Sequence, residues 1–516
     1  MDYVILAVIV AYFAIVIAVG YYFYHRSSTL SDYILGGRTL NPYVTALSAQ
    51  ASDMSSWMLM GLPGAIFISG LGEAWIGIGL AIGAYISWLV VAKRLRIYSE
   101  KAGDSLTLSQ FFSNRFHDEK GYLRDLSAVI ILVFFIFYVA SGFVGAAHVF
   151  SYVIPEFDYN WAVITAAAVI VIYTFLGGFK AVCWTDFLQG MLMVIAVVVV
   201  PIAAVCAMGG WADTTAWLDN LHGVPDHFGS LLHSGGATIG ALAILSSLAW
   251  GLGYFGMPHV IVRYTAIKDP KDLKISRRVA MIWMVVSLTA AIMVGYIGRA
   301  YVVSGGAELL GGNRETIFIV MAGGLFASAI AAIVYAAILA AVMSTADSQL
   351  LVASSAISND LIKRFSKDKV TLSNAKLMWI SRAVVIIIAI IAAAIALMDV
   401  SSIMSLVSYA WAGFGAAFGP IVVLALFWKK GNANGAFAGM LVGFITVILW
   451  NTFLVSGGVL PSIIGSDMCL YNTGLYELVP AFLLAIIVNV LVSIYTGGPT
   501  AEIEAEYDDY EAALNQ

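Results

Sequence analysis

Apolar residues in this chain gather into runs long enough to cross a bilayer, set apart by charged or Gly/Pro-rich breaks. A helical span needs roughly 20 apolar residues. Runs that meet this length lie at 3–24, 42–69, 73–92, 126–154, 160–178, 184–208, 238–262, 279–303, 317–355, 375–398, 401–428, 434–456 and 475–497, which predicts thirteen membrane helices and no other fold class than all-α. The ninth run is too long for one span and is expected to continue as a helix beyond the membrane.

Two of these runs are interrupted. In the second, Asp53 sits among Ala51, Ser52, Met54, Ser55 and Ser56, and Gly61, Pro63 and Gly64 follow. An ionised Asp at mid-bilayer costs roughly 2.5–3.5 kcal/mol on insertion scales, so a partner is expected for it. A helix break is predicted around Ala51–Gly64, and broken backbone at that depth is tolerated only where it lines a protein cavity. Five helices later, Trp250, Gly251, Leu252, Gly253, Tyr254, Phe255, Gly256, Met257 and Pro258 form a second interruption. Gly and Pro in a membrane helix also serve close packing or a simple kink. Two interrupted helices, each opening a group of five, instead predict an inverted repeat with a binding site between the breaks. The resulting organisation is a peripheral first helix and inner loop (1–41), a first repeat (42–208), a second repeat (209–428), two peripheral helices (429–497) and an acidic tail (498–516).

Composition narrows the function classes. The chain is 61% hydrophobic and 11% charged, far below the roughly 25% charged residues of soluble domains. With the N-terminus outside, every Lys and Arg of the 26 falls in an inner loop except Arg299 and Arg314, an asymmetry that supports both topology and helix count. The C-terminus is then cytoplasmic, and its Glu502–Glu511 stretch is expected to be a solvated, mobile end. The first apolar run follows Asp2 rather than basic residues and is read as a retained helix, not a cleaved signal. Basic residues spread over the inner loops exclude a nucleic-acid surface. Cys183, Cys206 and Cys469 fall at separate depths, with no disulfide framework and no transition-metal spacing. No nucleophile–His pair points to an enzyme, and His117 and His259 read as inner-loop residues.

The ninth run holds Ala341, Ser344, Thr345, Asp347 and Ser348. Hard cations such as sodium favour oxygen ligands, and the carbonyls of Ala51, Met54 and Ala341 with the hydroxyls of Ser344 and Thr345 offer five. Any single hydroxyl is as readily explained by back-bonding to a carbonyl one turn earlier; the cluster facing a broken helix is not. Asp186 reads either as an N-terminal cap of the sixth helix or as a second cation position shared with Asp347 and Ser348, since neighbouring carboxylates repel unless protonated or bridged by a cation. Asp53 either ligates the ion or accepts backbone amides of the unwound segment. Trp57, Tyr138, Trp250 and Tyr254 are candidate walls for a small solute with charged ends, although most aromatics serve packing or interfacial belts. A solute carboxylate would meet free amides at the breaks.

Several stretches carry a resemblance: Asp32 to Arg38, Val44 to Ala49, Ala51 to Ser55 with Met60 to Ala65, Trp184-Thr185-Asp186, Trp250 to Gly256 with Pro258-His259, Ile338 to Thr345, and Leu406 to Pro420. On these motifs the chain resembles the sodium/solute symporter family, and within it the bacterial carriers of proline. The resemblance implies a leucine-transporter-like five-plus-five fold, with sodium as coupling ion between Ala51, Met54, Ala341, Ser344 and Thr345. It implies that Asp53 and Ser55 are functionally involved and that L-proline lies near Ser55, Ser56, Trp57, Tyr138, Trp250, Tyr254 and Pro258. It implies a multi-pass protein of the bacterial inner membrane with no cofactor and no obligate protein partner. The chain departs from the family's proline carriers at Met257 (Gln there), Ser56 (Gly there) and Asp347-Ser348 (Ser-Cys there). Rival readings are a sodium symporter for another amino acid, pantothenate or a sugar, and a transporter-like membrane sensor, which the absence of an output domain after Thr496 disfavours.

Overall fold

Helix starts coincide with side chains able to accept the free amides of a first turn. Asn41 accepts from the Tyr43 and Val44 amides at 3.0 Å each, with Pro42 placed where a missing N–H costs nothing. Ser402 and Asn432 cap later helices through the Ser405 and Gly435 amides, at 3.1 and 2.9 Å. The computed structural model describes residues 2–24, 30–176, 178–219, 222–358, 374–466 and 468–514.

In chain order the main helices are α1 (Tyr3–Tyr24), α2 (Pro42–Asp53), α3 (Trp57–Ser69), α4 (Leu71–Lys101), α5 (Tyr122–Val153), α6 (Tyr159–Leu176), α7 (Phe179–Ala207), α8 (Ala241–Phe255), α9 (Pro258–Ala266) and α10 (Leu273–Val303). There follow α11 (Ser328–Ser355), α12 (Asn374–Leu397), α13 (Ile403–Phe427), α14 (Ala433–Phe453), α15 (Leu478–Tyr495) and α16 (Ala501–Leu514). Among the described residues ten helices are long and apolar enough to cross a membrane, and the pair α8–α9, bent by 44°, makes an eleventh. This is a multi-pass membrane protein. Ile282, Ile390 and Leu491 are 68%, 63% and 60% exposed, which suits a lipid-facing surface and not water. At the centre α5, α11 and α13 are mostly buried, whereas α1 and α15 lie at the rim.

Both interruptions exist, but the first is shorter and earlier than the Gly/Pro pattern suggests. Backbone leaves the helix at Met54 and re-enters at Ser56. Gly61, Pro63 and Gly64 do not break α3. A wide π-turn over Trp57–Gly61 carries the chain into the α-helix beginning at Leu62, so Pro63 falls in a first turn. Gly64 is there for contact: a Cβ on it would stand 3.2 Å from the backbone of Arg314 and Glu315. The second interruption is as expected, with Ala249–Phe255 tightened to 3₁₀ geometry, a turn at Gly256, extended Met257, and a fresh helix from Pro258.

Two contacts fix these half-helices. A Cβ on Gly83 of α4 would run into the Gly251 backbone of α8, and one on Gly251 into Gly79, so α4 and α8 meet backbone to backbone. On the basic-loop side Leu40, just before α2, pairs with the end of α9, its amide donating to the Ala266 carbonyl (3.2 Å) and its carbonyl accepting from Lys268 (3.0 Å).

Three further expectations need correction. Run 317–355 is not one helix: extended Phe326 and Ala327 divide a short helix, Ile317–Leu325, from α11. Asp186 does not cap a helix, because α7 already starts at Phe179 with Gly178 before it. The acidic tail is not a solvated end either. Its residues 501–514 form α16, docked with Ile503, Tyr507 and Tyr510 buried. Tyr510 stacks on Tyr98 at 4.0 Å, and the Tyr507 and Tyr510 hydroxyls donate to the Leu426 carbonyl at 3.2 and 3.3 Å. The outer face of α16 meets basic side chains: Lys101 with Asp509, Lys429 with Asp508 (2.7 Å) and His117 with Glu506 (2.9 Å). Hydrogen bonding to the Asp508 carboxylate holds the Lys429 ammonium above the usual lysine range. Acidity therefore disguised an amphipathic helix whose three apolar residues fall at helical spacing. Of the inner-loop basic residues, Arg26, Lys363, Arg364, Lys367 and Lys369 lie outside the described residues.

Exposed ion pairs contribute little and buried aromatics much. Tyr510→Ala should therefore undock α16 by about 3 kcal/mol, roughly a hundredfold faster amide exchange over 501–514, while Asp508→Asn leaves exchange near wild type. Equal effects of the two variants would show that charge, not the aromatic face, holds the helix.

Candidate functional site

Where α2 stops, three donors converge on one carbonyl. The Asp53 oxygen accepts from Trp57 Nε1 (2.9 Å), the Tyr138 hydroxyl (3.2 Å) and the Ser55 amide (3.0 Å). Unwinding at this depth leaves carbonyls that need partners, and two candidate solute-wall aromatics supply them. The Asp53 carboxylate does not hold backbone amides, one of the two roles the sequence left open. Its Oδ2 accepts a short hydrogen bond from the Tyr254 hydroxyl, which joins the first break to the second, and its Oδ1 is buried without a protein partner. Such an oxygen is costly unless something else meets it.

The hydroxyl cluster of α11 faces this break. Ser344 Oγ lies 2.7 Å from the Ala51 carbonyl and 3.2 Å from that of Ala341; Thr345 Oγ1 lies 3.4 Å from Ala51 O. Four of the five expected sodium ligands thus stand together, all buried. Met54 is the first residue past the last helical turn, its amide closing on Gln50 O at 2.9 Å. Hydroxyl and carbonyl oxygens fit a hard monovalent cation. Ser348 takes the bland alternative, donating to Ser344 O one turn back at 2.8 Å.

Buried aromatic side chains pack beside it. Trp57 and Trp250 lie 6.4 Å apart, and Tyr254 meets Trp411 edge-on at 5.1 Å. Trp411, which sequence reasoning missed, donates to the Trp250 carbonyl at 2.7 Å and so satisfies the second break as Trp57 does the first. Ser55 Oγ accepts from the Trp57 amide (3.4 Å), while Ser56 is used in packing against Ser141 and Gly145 of α5. Pro258 opens α9 and is buried. His259 is not an inner-loop residue: it is buried, its ring edge-on to Phe135 (5.5 Å) and Tyr138 (5.9 Å).

One turn deeper lies a second polar cluster, and the sequence missed its centre. Arg263 of α9 is buried rather than part of a loop. Its guanidinium meets Asp186 Oδ2 (3.2 Å), Ser348 Oγ (2.5 Å), Ser48 Oγ (3.1 Å) and the His259 carbonyl (2.5 Å). Ser48 also donates to Asp186 at 2.7 Å. Asp347 turns into the same cluster, in range of Asp186, Arg263 and Tyr173. The two carboxylates do approach, and a tethered cation pairs with Asp186 and acts on Asp347. The signal was available: two acids in apolar helices need a positive partner, and Arg263 follows a broken helix by less than two turns.

These features define a class before a family: an all-helical, multi-pass membrane protein with two interrupted helices whose freed carbonyls meet buried hydroxyls and aromatics. The fold is shared with a solved Na+-coupled sialic acid symporter, substrate-bound and outward-open (TM-score 0.75, 21% identity, covering 97% of this chain and 99% of that one). It is shared more distantly with the nucleobase-cation-symport-1 transporter Mhp1 (TM-score 0.51, 14% identity, 94% and 99% covered). Residues 33–443 match the model of the sodium:solute symporter family, and the chain belongs to that family. Among its relatives are the high-affinity proline transporter PutP of Bacillus subtilis (45% identical, 96% of this chain and 99% of that one) and the sodium/proline symporter of Escherichia coli (42%, 96% and 94%). The osmoregulated proline transporter OpuE of Bacillus subtilis is 43% identical over 95% and 94%.

Breaking a buried ion pair on one side costs about 3–5 kcal/mol, whereas removing both charges often costs little. Arg263→Met should therefore lower the unfolding temperature of the purified protein sharply, and adding Asp186→Asn should restore most of the loss. Simple addition of the two losses would show that the pair is not an energetic unit.

Proposed function

We propose that this protein imports L-proline by symport with sodium, driven by the inward sodium gradient. The observation that carries the reading is the meeting of the Ser344 and Thr345 hydroxyls with the Ala51 carbonyl at the end of α2, next to a solute space walled by aromatics. Relatives that share 42–45% of the sequence over nearly its whole length are named for proline. Sodium takes Ala51, Met54, Ala341, Ser344 and Thr345 as ligands and bridges α2 to α11. Proline lies among Ser55, Ser56, Trp57, Tyr138, Trp250, Tyr254 and Pro258, its carboxylate toward amides freed at the breaks. Asp53 acts through Tyr254, coupling the two interrupted helices. Asp186, Asp347 and Ser348 form the second cation position, which Arg263 occupies.

Thirteen crossings result when α2–α3 and α8–α9 each count as one broken span and α6 as another. The first repeat is 42–208 and the second 209–428, with 1–41 and 429–497 peripheral; the start of α2 meeting the end of α9 through Leu40 and Ala266, with Ser48 on Arg263 further in, supports this pairing. The basic-loop face is cytoplasmic and the N-terminus outside, in a bacterial inner membrane, with α16 on the cytoplasmic side. The protein works in the bilayer without an obligate protein partner.

Ion and solute stabilise one arrangement, so each must raise the affinity for the other by the same factor. In proteoliposomes proline uptake should require an inward sodium gradient, and Ser344→Ala or Thr345→Ala should raise the half-saturating sodium concentration at least about tenfold, the effect of roughly 1.4 kcal/mol. Uptake by both variants with wild-type sodium dependence would remove this ion site.

A further inference from the structure

Five cationic residues, Lys268, Lys271, Lys274, Arg277 and Arg278, stand between the end of α9 and the second turn of α10, against two acids, Asp269 and Asp272. Asp269 is committed to the turn, its carboxylate accepting from the Lys271 amide at 2.8 Å. Among the described residues no carboxylate forms an ion pair with any of the five. Basic side chains elsewhere on this side of the membrane do have such partners: Arg38 meets Asp104, Arg96 meets Glu100, and Lys101 and Lys429 meet α16. Lys271 and Lys274 also flank the start of a 31-residue helix, where free amides favour an anion and not a cation. The excess positive charge is thus unpaired within the protein and lies beside a helix end that adds to the attraction for a negative group.

Basic residues that only fix topology need lie in the loop and nothing more. Here their placement is narrower. Lys274 and Arg278 are exposed one turn apart on α10, and the same stripe continues through Ile282, Val285 and Val286, all exposed. Arg277 flanks the stripe with its guanidinium 5.7 Å from the ring of Tyr85 on α4, an aromatic face on one side and no anion on the other. Lengths agree as well. From Lys274 to Val285 the helix rises about 16 Å, the depth of one leaflet of a hydrocarbon core about 30 Å thick. At that depth Val285 and Val286 enter the wall of an apolar groove of about 540 Å³ between α7 and α10, which Pro201, Ile202 and Met293 also line.

We propose that this stripe binds one anionic glycerophospholipid from the leaflet on the basic-loop side: its phosphate is held by Lys271, Lys274 and Arg278, and an acyl chain follows Ile282 to the groove against α7. Basic clusters at the membrane surface attract anionic headgroups, and the apolar stripe below this one gives the chain a matching track. Ser276, within the cluster, donates to the Pro42 carbonyl at 2.9 Å, so the bound lipid lies against the joint of α10 with the start of α2. The inference is independent of which solute is carried.

The test uses the full-length protein in a neutral detergent, titrated with phosphatidylglycerol or with phosphatidylcholine of the same acyl chains, and counts retained lipids by native mass spectrometry. One phosphatidylglycerol should be retained at a concentration at least about tenfold below that needed for phosphatidylcholine. Lys274→Gln together with Arg278→Gln should remove the preference, about fivefold per neutralised cation, the effect of roughly 1 kcal/mol each. Both side chains are exposed, so thermal stability in lipid-free detergent should not change. Lys429→Gln together with Lys430→Gln removes two cations from another part of the basic-loop side and should keep the preference. Inorganic phosphate, polyglutamate and a short-chain phosphatidylglycerol should each fail to displace the retained lipid at matched charge. Equal retention of the two lipids, or an equal loss in the Lys429 and Lys430 double variant, would overturn the site. Displacement by phosphate, by polyglutamate or by the short-chain lipid would overturn it too, showing instead a small-anion site, an acidic-protein surface or a headgroup contact without the acyl track.

Discussion

A main chain that leaves its helix at membrane depth must find partners for its own carbonyls within the protein, because lipid supplies none. In this molecule that constraint organises the site. The carbonyl of Asp53 gathers Trp57, Tyr138 and the Ser55 amide; that of Ala51 gathers Ser344 and Thr345; that of Trp250 gathers Trp411. The groups that make the break tolerable are the same ones proposed to receive the ion and the solute. On that proposal, stability and ligand recognition draw on one set of hydrogen bonds, and an arriving ion would exchange partners with oxygens already assembled.

The charges obey a parallel logic. Asp53 is joined to the opposite break by Tyr254, and Arg263 lies between Asp186 and the α11 cluster. Asp53 and Asp186 thus each tie a helix of residues 42–208 to one of residues 209–428. A polar link of this kind adds little net stability compared with well-packed apolar residues, but it specifies which faces of α2, α7, α9 and α11 must meet.

Much of this was legible in the sequence, for identifiable reasons. Apolar runs located the membrane helices because burial in lipid leaves a strong, periodic mark. The convergence of Ala51 with Ser344 was foreseeable because hydroxyls and a carboxylate in an apolar helix are expensive without purpose. Glycine and proline misled where their role depends on neighbours: Gly64 serves contact with Glu315, and Pro63 is absorbed by a wide turn. Arg263 was hidden because near a helix end a buried guanidinium and a loop charge look alike, and only its contacts with Asp186 and Ser348 separate them. Residues 501–514 were hidden by their acidity, although Ile503, Tyr507 and Tyr510 recur at the spacing of one helix face. His259 was likewise invisible until Phe135 and Tyr138 were seen around it.

The glycine contact of α4 with α8, and the short strand pairing of Leu40 with the end of α9, have a mechanical corollary. One half of the bent pair α8–α9 is welded to α4 with no side chain to slide on, while the other is riveted to the base of α2. Relative displacement of those two bodies has a single place to be absorbed, the bend at Gly256–Met257 directly above Pro258. The chain thus carries its articulation point beside the residues proposed to hold the solute, so that an occupant there would bear on the pivot.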